Sequence, residues 1–500
     1  MKTNSKVLLI LSVIGLLLVT ENVFGLEKDS LRVSGIITDS SGDPLPGVSV
    51  VVKGTMRATC SDIDGKYSLT VPENTVLEFS FIGFASQKIT VGTQQAINVV
   101  LLEGFKVGIK PAQPVKLTEK QQEKAEIDNR FAFKMFREVS KQQGDNTFFS
   151  PFSLNMALGM LYTGSSGSTR TEIAKAFNIA GISENEINEY YRTTMQALLH
   201  IDPMTDINIA NSIWYHDRFP VKNTFIETCQ DYFDADVQAL DFNNSNAANR
   251  INSWCADKTH NRINQIVHSI PNDVVMYLIN AIYFKSKWQE EKTFHKEKTK
   301  WDDFTKTNKE KIKAHLMEQT TTLPYYADQH LQCVELPYGN QAFSMIAILP
   351  PEGTNINCLI DYLPTVQWQD IVTEMREERV WLKLPRFKIE CDIPLNQPVM
   401  NVGMKKIFSK KFADFVNIAD ITDTLLCVSN IRQKTFVEVN EEGTEAAATT
   451  AIEMMVTGIG VQRKPEEPVR FFADRPFLFL IREKSTGVIL FIGRVDEPHE

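Results

Sequence analysis

Residues Glu438-Val439-Asn440-Glu441-Glu442-Gly443-Thr444-Glu445-Ala446-Ala447-Ala448-Thr449-Thr450-Ala451-Ile452-Glu453-Met454-Met455-Val456-Thr457-Gly458-Ile459-Gly460 decide how this chain is read. A strand-like Val437–Asn440 is followed by small residues where a tight turn or a cap would normally stand. Alternate side chains of a strand point to opposite faces. Counted from Thr444, one face carries Thr444, Ala446, Ala448, Thr450, Ile452, Met454 and Val456, with no charge. The other carries Glu445, Ala447, Thr449, Ala451, Glu453, Met455 and Thr457. Such a segment can enter the middle of a sheet with its neutral face on a core; the alternative is a long Ala/Thr-rich surface loop.

The run Glu441-Glu442-Gly443-Thr444-Glu445-Ala446-Ala447-Ala448-Thr449 resembles the hinge of the reactive-centre loop of inhibitory serpins, which places two acids, Gly, Thr, an acid and several alanines in this order. The resemblance extends outward over about Lys116–Pro498. Upstream, Asn146–Leu154 resembles the segment that opens a helix under the main sheet, with Ser150-Pro151 suited to start it and Ser153 inside it. Met160–Gly164, Gly167–Ile173 and Asn252-Ser253-Trp254 follow in the family's order. Leu278–Trp288 is apolar on both faces through Phe284, as a central strand should be. Leu331–Pro337 with Tyr338, Ser344–Pro350, Leu384–Ile389, Phe472–Ile481 and Gly487–Val495 match further strands.

Before this region the composition differs. Met1–Gly25 has Lys2 and Lys6, an apolar run Val7–Val19 too short to span a membrane comfortably, and a small residue at its end, which predicts a signal peptide and export. Leu31–Thr38, Val48–Lys53, Tyr67–Val71, Val76–Phe81, Gln87–Val91 and Ala96–Leu102 read as short strands separated by turn signals, predicting a β-sandwich over residues 31–102. Val33–Val50, Asp62–Tyr67 and Phe79–Phe84 resemble the carboxypeptidase-regulatory-like domains of many exported bacterial proteins, which implies a non-catalytic spacer or docking module. Glu103–Leu117 reads as a linker, and a helix is predicted from Thr118. The fold class expected is a small all-β sandwich followed by a mixed α/β serpin fold with a large central sheet.

Enzyme chemistry finds little support. His315 and Glu318 have an HxxE spacing used by zinc carboxypeptidases, but no third ligand is evident and the run matches a serpin strand, so no metal site is expected. No GxSxG elbow or phosphate-binding loop occurs. The seven scattered cysteines form no paired framework and are expected to be mostly buried free thiols. A net charge of −9 over 500 residues argues against nucleic acid as a partner. The lysines of Lys285–Lys313 are interleaved with acids, which argues against a glycan activator.

The resemblance implies bait rather than catalysis. A serine protease attacks the loop and forms an acyl-enzyme; the freed loop inserts as a new strand of the main sheet and drags the tethered protease with it, distorting its active site. Family spacing puts the reactive bond fourteen residues after Gly443, at Thr457-Gly458, with Val456 an alternate. Met454–Thr457 favours elastase-like serine proteases, and papain-like cysteine proteases are a further class. The leaving side is longer than usual, and Arg463-Lys464 within it offers a trypsin-like site. Glu441 and Arg386 match the salt bridge where the loop enters, and Trp288 the aromatic beside it. Where the family has a histidine bonded to Ser150 and Ser153, this chain has Gln433, whose amide is expected to bond the same two serines without the pH sensitivity. The expected protein is a monomeric, cofactor-free protease inhibitor; the alternative is a non-inhibitory serpin that serves as a binding or scaffold protein and is cleaved as a plain substrate.

Overall fold

A computed structural model of the chain describes residues 30–101 except 40, 41, 54, 56, 73, 82, 83 and 85, together with 111–420, 426–444 and 467–500. The proposed signal peptide and loop residues 445–466 lie outside the described residues. The chain divides into two compact units, residues 1–109 and 110–500.

The first unit is a β-sandwich. Strands β1 (Ser30–Thr38), β4 (Lys66–Pro72) and β7 (Val99–Val100) form a sheet in the order β4-β1-β7, and β2 (Ser49–Val52), β3 (Ala58–Cys60), β5 (Val76–Ser80) and β6 (Gln87–Thr90) form another in the order β3-β2-β5-β6. Every second residue points inward: Val50 and Val52 from β2 and Leu77 and Phe79 from β5 join Val33 and Ile37 of β1 in one core. Full burial of each such side chain contributes roughly 1.5–3 kcal/mol. Strand β3 was not anticipated, because Ala58-Thr59-Cys60 has no apolar alternation and forms only by pairing with β2 at the sheet edge.

The second unit is helical at its start. Thr118 caps α1 (Glu119–Gln143) in a reciprocal capping box with Gln121. Residues 111–117 lie against this unit, since the Ala112 N–H donates to the Asn340 carbonyl (3.1 Å) and the Val115 N–H to Ser485 Oγ (2.9 Å). After β8 (Thr147–Phe149), Ser150 caps α2 (Pro151–Gly164), whose Pro151 occupies the first turn. Every residue of α2 except Ala157 is buried, as expected of a helix that is apolar all round. Helices α3 (Gly167–Phe177), α4 (Glu184–Leu198), α5 (Asn223–Phe233) and α6 (Ala247–Lys258) follow, interrupted by β9 (Thr205–His216) and β10 (Ala235–Leu240).

The main sheet runs β10-β9-β11-β19-β18-β17, where β11 is Met276–Lys287, β17 Phe387–Pro394, β18 Arg432–Asn440 and β19 Gly443–Thr444. A second sheet contains β12 (Lys300–Thr305), β13 (Lys311–Ala327), β14 (Gln332–Pro337), β15 (Phe343–Leu349), β16 (Arg376–Pro385), β20 (Val469–Phe472), β21 (Phe477–Glu483), β22 (Ile489–Val495) and β8. Helix α2 packs on β11 of one sheet and β22 of the other, so it lies in the core between them. Helix α6 packs on β9 and β11.

Candidate functional site

Strands β11 and β18 run in the same direction and share no ladder with each other; β19 stands between their ends, antiparallel to both. Thr444 pairs with Ser286 and Val439, and Gly443 with Lys287 and Asn440. The chain reaches this position by a turn at Glu441-Glu442, and the Glu442 N–H donates to Asn440 Oδ1 (2.9 Å). Gly443 has φ +148°, and a Cβ there would stand 2.1 Å from the Ser286 carbonyl oxygen, so glycine alone lets the turn join the sheet.

The turn is held on every side. Arg386, between β16 and β17, donates from Nε to Glu441 Oε1 and Oε2 (2.9 and 3.0 Å) and from Nη2 to Oε1 (2.5 Å), and Thr299 Oγ1 donates to the same oxygen (2.5 Å). Burial of Glu441 acts to raise its pKa, but the bonds from Arg386 and Thr299 outweigh it and hold the carboxyl below its ordinary value. Lys296 Nζ pairs with Glu442 Oε1 at 2.9 Å. Main-chain bonds tie the same acids to the segment after β11: Trp288 N–H to the Glu442 carbonyl (2.8 Å) and Phe294 N–H to the Glu441 carbonyl (3.1 Å). Trp288 is buried, donates from Nε1 to the Asn440 carbonyl (3.0 Å) and stacks on Tyr338 at 4.6 Å. Thr444 is buried and shares a 2.6 Å hydrogen bond with the Tyr338 hydroxyl.

A two-residue strand wedged at one end of a slot between two parallel strands, fed by a turn of two acids and a glycine, fits a loop that can continue into the sheet. Comparison with known proteins identifies the family. The serpin (serine protease inhibitor) family profile matches residues 126–498. The chain belongs to the serpin family. Iripin-1 of Ixodes ricinus is 33% identical to this serpin over 376 residues, covering 74% of this chain and 93% of its own. Serpin B6 of Macaca fascicularis is 32% identical over 385 residues, covering 75% and 99%. The native-state crystal structure of the thermophilic serpin tengpin superposes with a TM-score of 0.68 at 30% identity over 78% of this chain and 97% of that one. The carboxypeptidase-regulatory-like domain profile matches residues 33–106.

The start of β18 is tied to β8 and to the first turn of α2. Gln433 accepts from the Ser150 N–H through Oε1 (2.8 Å) and donates from Nε2 to the Ser150 carbonyl (2.9 Å). Thr435 Oγ1 donates to the Phe148 carbonyl (2.5 Å, counted from β18 to β8). Ser150 Oγ donates to the Leu490 carbonyl (2.7 Å) and caps α2 by accepting from the Ser153 N–H (3.2 Å). The expected bonding of Gln433 to both serines therefore needs correcting: the amide grips the main chain of Ser150 and makes no hydrogen bond to Ser153. The Ser150 N–H and the second lone pair of its carbonyl, which also accepts from the Leu154 N–H (3.3 Å), call for a group that is donor and acceptor at once, which an amide is.

The remaining sequence candidates separate. Glu445, Ala446, Ala447 and Ala448 of the hinge, the reactive bond Thr457-Gly458 and the alternates Val456, Arg463 and Lys464 all lie outside the described residues. His315 and Glu318 share β13, where a spacing of three puts them on opposite faces. His315 pairs with Glu500, and Glu318 accepts from Trp381 Nε1 (2.8 Å), so the two do not converge on a common point. Cys229, Cys255, Cys333 and Cys391 are buried free thiols, whereas Cys60 and Cys358 are exposed. Burial pushes the Cys255 thiol up to about 12, which makes it a poor nucleophile. Lys296, Lys311 and Lys313 are paired with Glu442 and Asp303.

Sequence reasoning missed Tyr338, Thr299 and Lys296 as parts of the site. Tyr338 was visible only as one residue of a strand match, and Thr299 and Lys296 sat in a lysine-rich run that reads as surface. No local pattern ties any of them to the hinge.

Proposed function

We propose that this serpin is an exported suicide-substrate inhibitor of proteases, with serine proteases of elastase-like preference as its main targets. The reading rests on one observation above all: Gly443-Thr444 is laddered on both sides as β19. Chain that continues past Thr444 in the same direction enters the slot between β11 and β18, and the residues that would follow on the inward face, Ala446, Ala448 and Thr450, are small and neutral. Insertion of small neutral residues is fast and leaves no buried charge unpaired.

In this reading the protease cuts at Thr457-Gly458, where Met454–Thr457 fill small-to-medium apolar subsites. A trypsin-like protease would cut instead after Arg463 or Lys464, lengthening the inserting arm and loosening its grip on the protease. Papain-like cysteine proteases are secondary targets. The Met1–Gly25 segment directs export, and the sandwich unit serves as a spacer or surface-docking module. The inhibitor acts as a monomer without cofactor or glycan activator.

The deciding experiment mixes the mature protein with an elastase-like and, separately, a trypsin-like protease, followed by denaturing gels and mass measurement of the released C-terminal peptide. A denaturant-resistant complex and a peptide beginning at Gly458 are expected. Complete cleavage without complex for every protease tried would retire the inhibitory reading in favour of a binding or scaffold serpin.

A further inference from the structure

The Tyr338 ring lies between aromatic neighbours, stacked on Trp288 with an interplanar angle of 8° and edge-on to Phe284 at 5.3 Å. The residue is wholly buried, and its N–H donates to the Phe343 carbonyl (2.9 Å), which fixes the backbone. Its hydroxyl has one hydrogen-bond partner among the described residues, Oγ1 of Thr444, at 2.6 Å. Thr444 is itself buried, in the strand that occupies the mouth of the slot.

We propose that Tyr338 is a positioning residue that latches the hinge into the main sheet through Thr444, and so sets the balance between a hinge inserted by two residues and one withdrawn. The physical reason is asymmetric. When the hinge withdraws, Thr444 reaches water and loses nothing, but the Tyr338 hydroxyl is left without a partner against Trp288 and Phe284, and an unsatisfied buried hydroxyl is costly. Inserted, the pair satisfies both groups. The side chain at position 444 therefore has to be small enough for the sheet and carry a hydroxyl at the right height, which Thr and Ser provide and Ala or Val do not. Withdrawal frees two residues, about 7 Å of extended chain, for the loop that is offered to proteases. The consequence for inhibition rests on the reading of the preceding section; the latch itself does not.

The test is amide hydrogen exchange on the full chain, in the absence of any protease, followed at Gly443 and Thr444. Tyr338→Phe keeps the stack on Trp288 and removes the hydroxyl, and Thr444→Val keeps the shape and removes its partner. Each is expected to speed exchange at these two amides about five- to tenfold, with exchange across β9 unchanged. The double variant is expected to exchange about as fast as Thr444→Val alone, well short of the product of the two single effects, because either substitution already removes the one bond that forms the latch. Thr444→Ser is expected to match the parent. Parent-like exchange in Tyr338→Phe, or a double variant whose acceleration is the product of the two single effects, would overturn the latch. Should Tyr338→Phe not fold, the contrast between Thr444→Val and Thr444→Ser decides, and equal exchange in those two overturns it. Slow exchange at the hinge in a protein that traps no protease would leave the latch standing and remove only the inhibitory reading.

Discussion

The two ends of β18 are held by different chemistry. At the end where β19 enters, charged groups do the holding: Arg386 and Thr299 on Glu441, and Lys296 on Glu442. At the other end the contacts are neutral: the Gln433 amide on the Ser150 main chain and the Thr435 hydroxyl on the Phe148 carbonyl. Charged bonds are stronger but leave a costly orphan when one partner goes, and they respond to pH. Neutral bonds cost less to break and do not titrate in the physiological range. The turn after β18 thus depends on charge and on pH, whereas the start of β18 does not.

The largest effect expected at the mouth comes from Thr444→Arg. A guanidinium at this buried site has no partner and would cost at least ~3 kcal/mol in the inserted state. The variant should be cleaved by its target without forming a resistant complex, as read on denaturing gels; unchanged stoichiometry of inhibition would mean that β19 does not lead insertion. Next in size is Arg386→Met, which leaves Glu441 buried without its main partner. Because Arg386 is partly exposed, the loss is about 2 kcal/mol rather than the full value for a buried pair, measured by denaturant unfolding at neutral pH.

Gln433→His sharpens the contrast from the other end. A neutral imidazole can accept from the Ser150 N–H, but the protonated ring cannot, so the folded variant should disfavour the proton and lower the pKa of the new histidine. With fewer protons bound folded than unfolded, stability falls as pH drops below about 6.5, by up to about 1.4 kcal/mol per pH unit. The parent, with its amide, should show no such difference at this position, and a parallel pair of stability profiles would show that this end of β18 does not read charge.

The smallest effect is that of acid on the parent mouth. Glu441 has a folded-state pKa below the ordinary 4.5, so its contribution to stability is fully present above 4.5 and is lost as pH falls through the lower folded value. Arg386→Met should flatten that acid limb, and an unchanged limb would assign it to other carboxylates.

Much of this was legible before any coordinates. The short strands and turn signals of residues 31–102, the helix start at Thr118, the Ser150-Pro151 helix start and the doubly apolar Leu278–Phe284 are local signals, because strand and turn preference and satisfaction of helix ends are decided within a few positions of the chain. The hinge was legible for the same reason: Gly443 beside small neutral residues is a statement about backbone freedom and side-chain size, and both are properties of single residues. The partners were not. Tyr338 lies 106 residues from Thr444 in the chain, Arg386 55 from Glu441, and Gln433 283 from Ser150. A strand carries no mark of which strands will flank it, and a buried hydroxyl or carboxylate accepts any donor that the packing brings within reach. The sequence therefore specified a strand able to enter a sheet and the family to which that strand belongs. That two residues of it already stand inside, that a tyrosine hydroxyl meets the threonine there, and that Gln433 grips a main chain rather than a pair of serines were decided by tertiary packing alone, since hydrogen bonds are chosen by distance in space and not by distance along the chain.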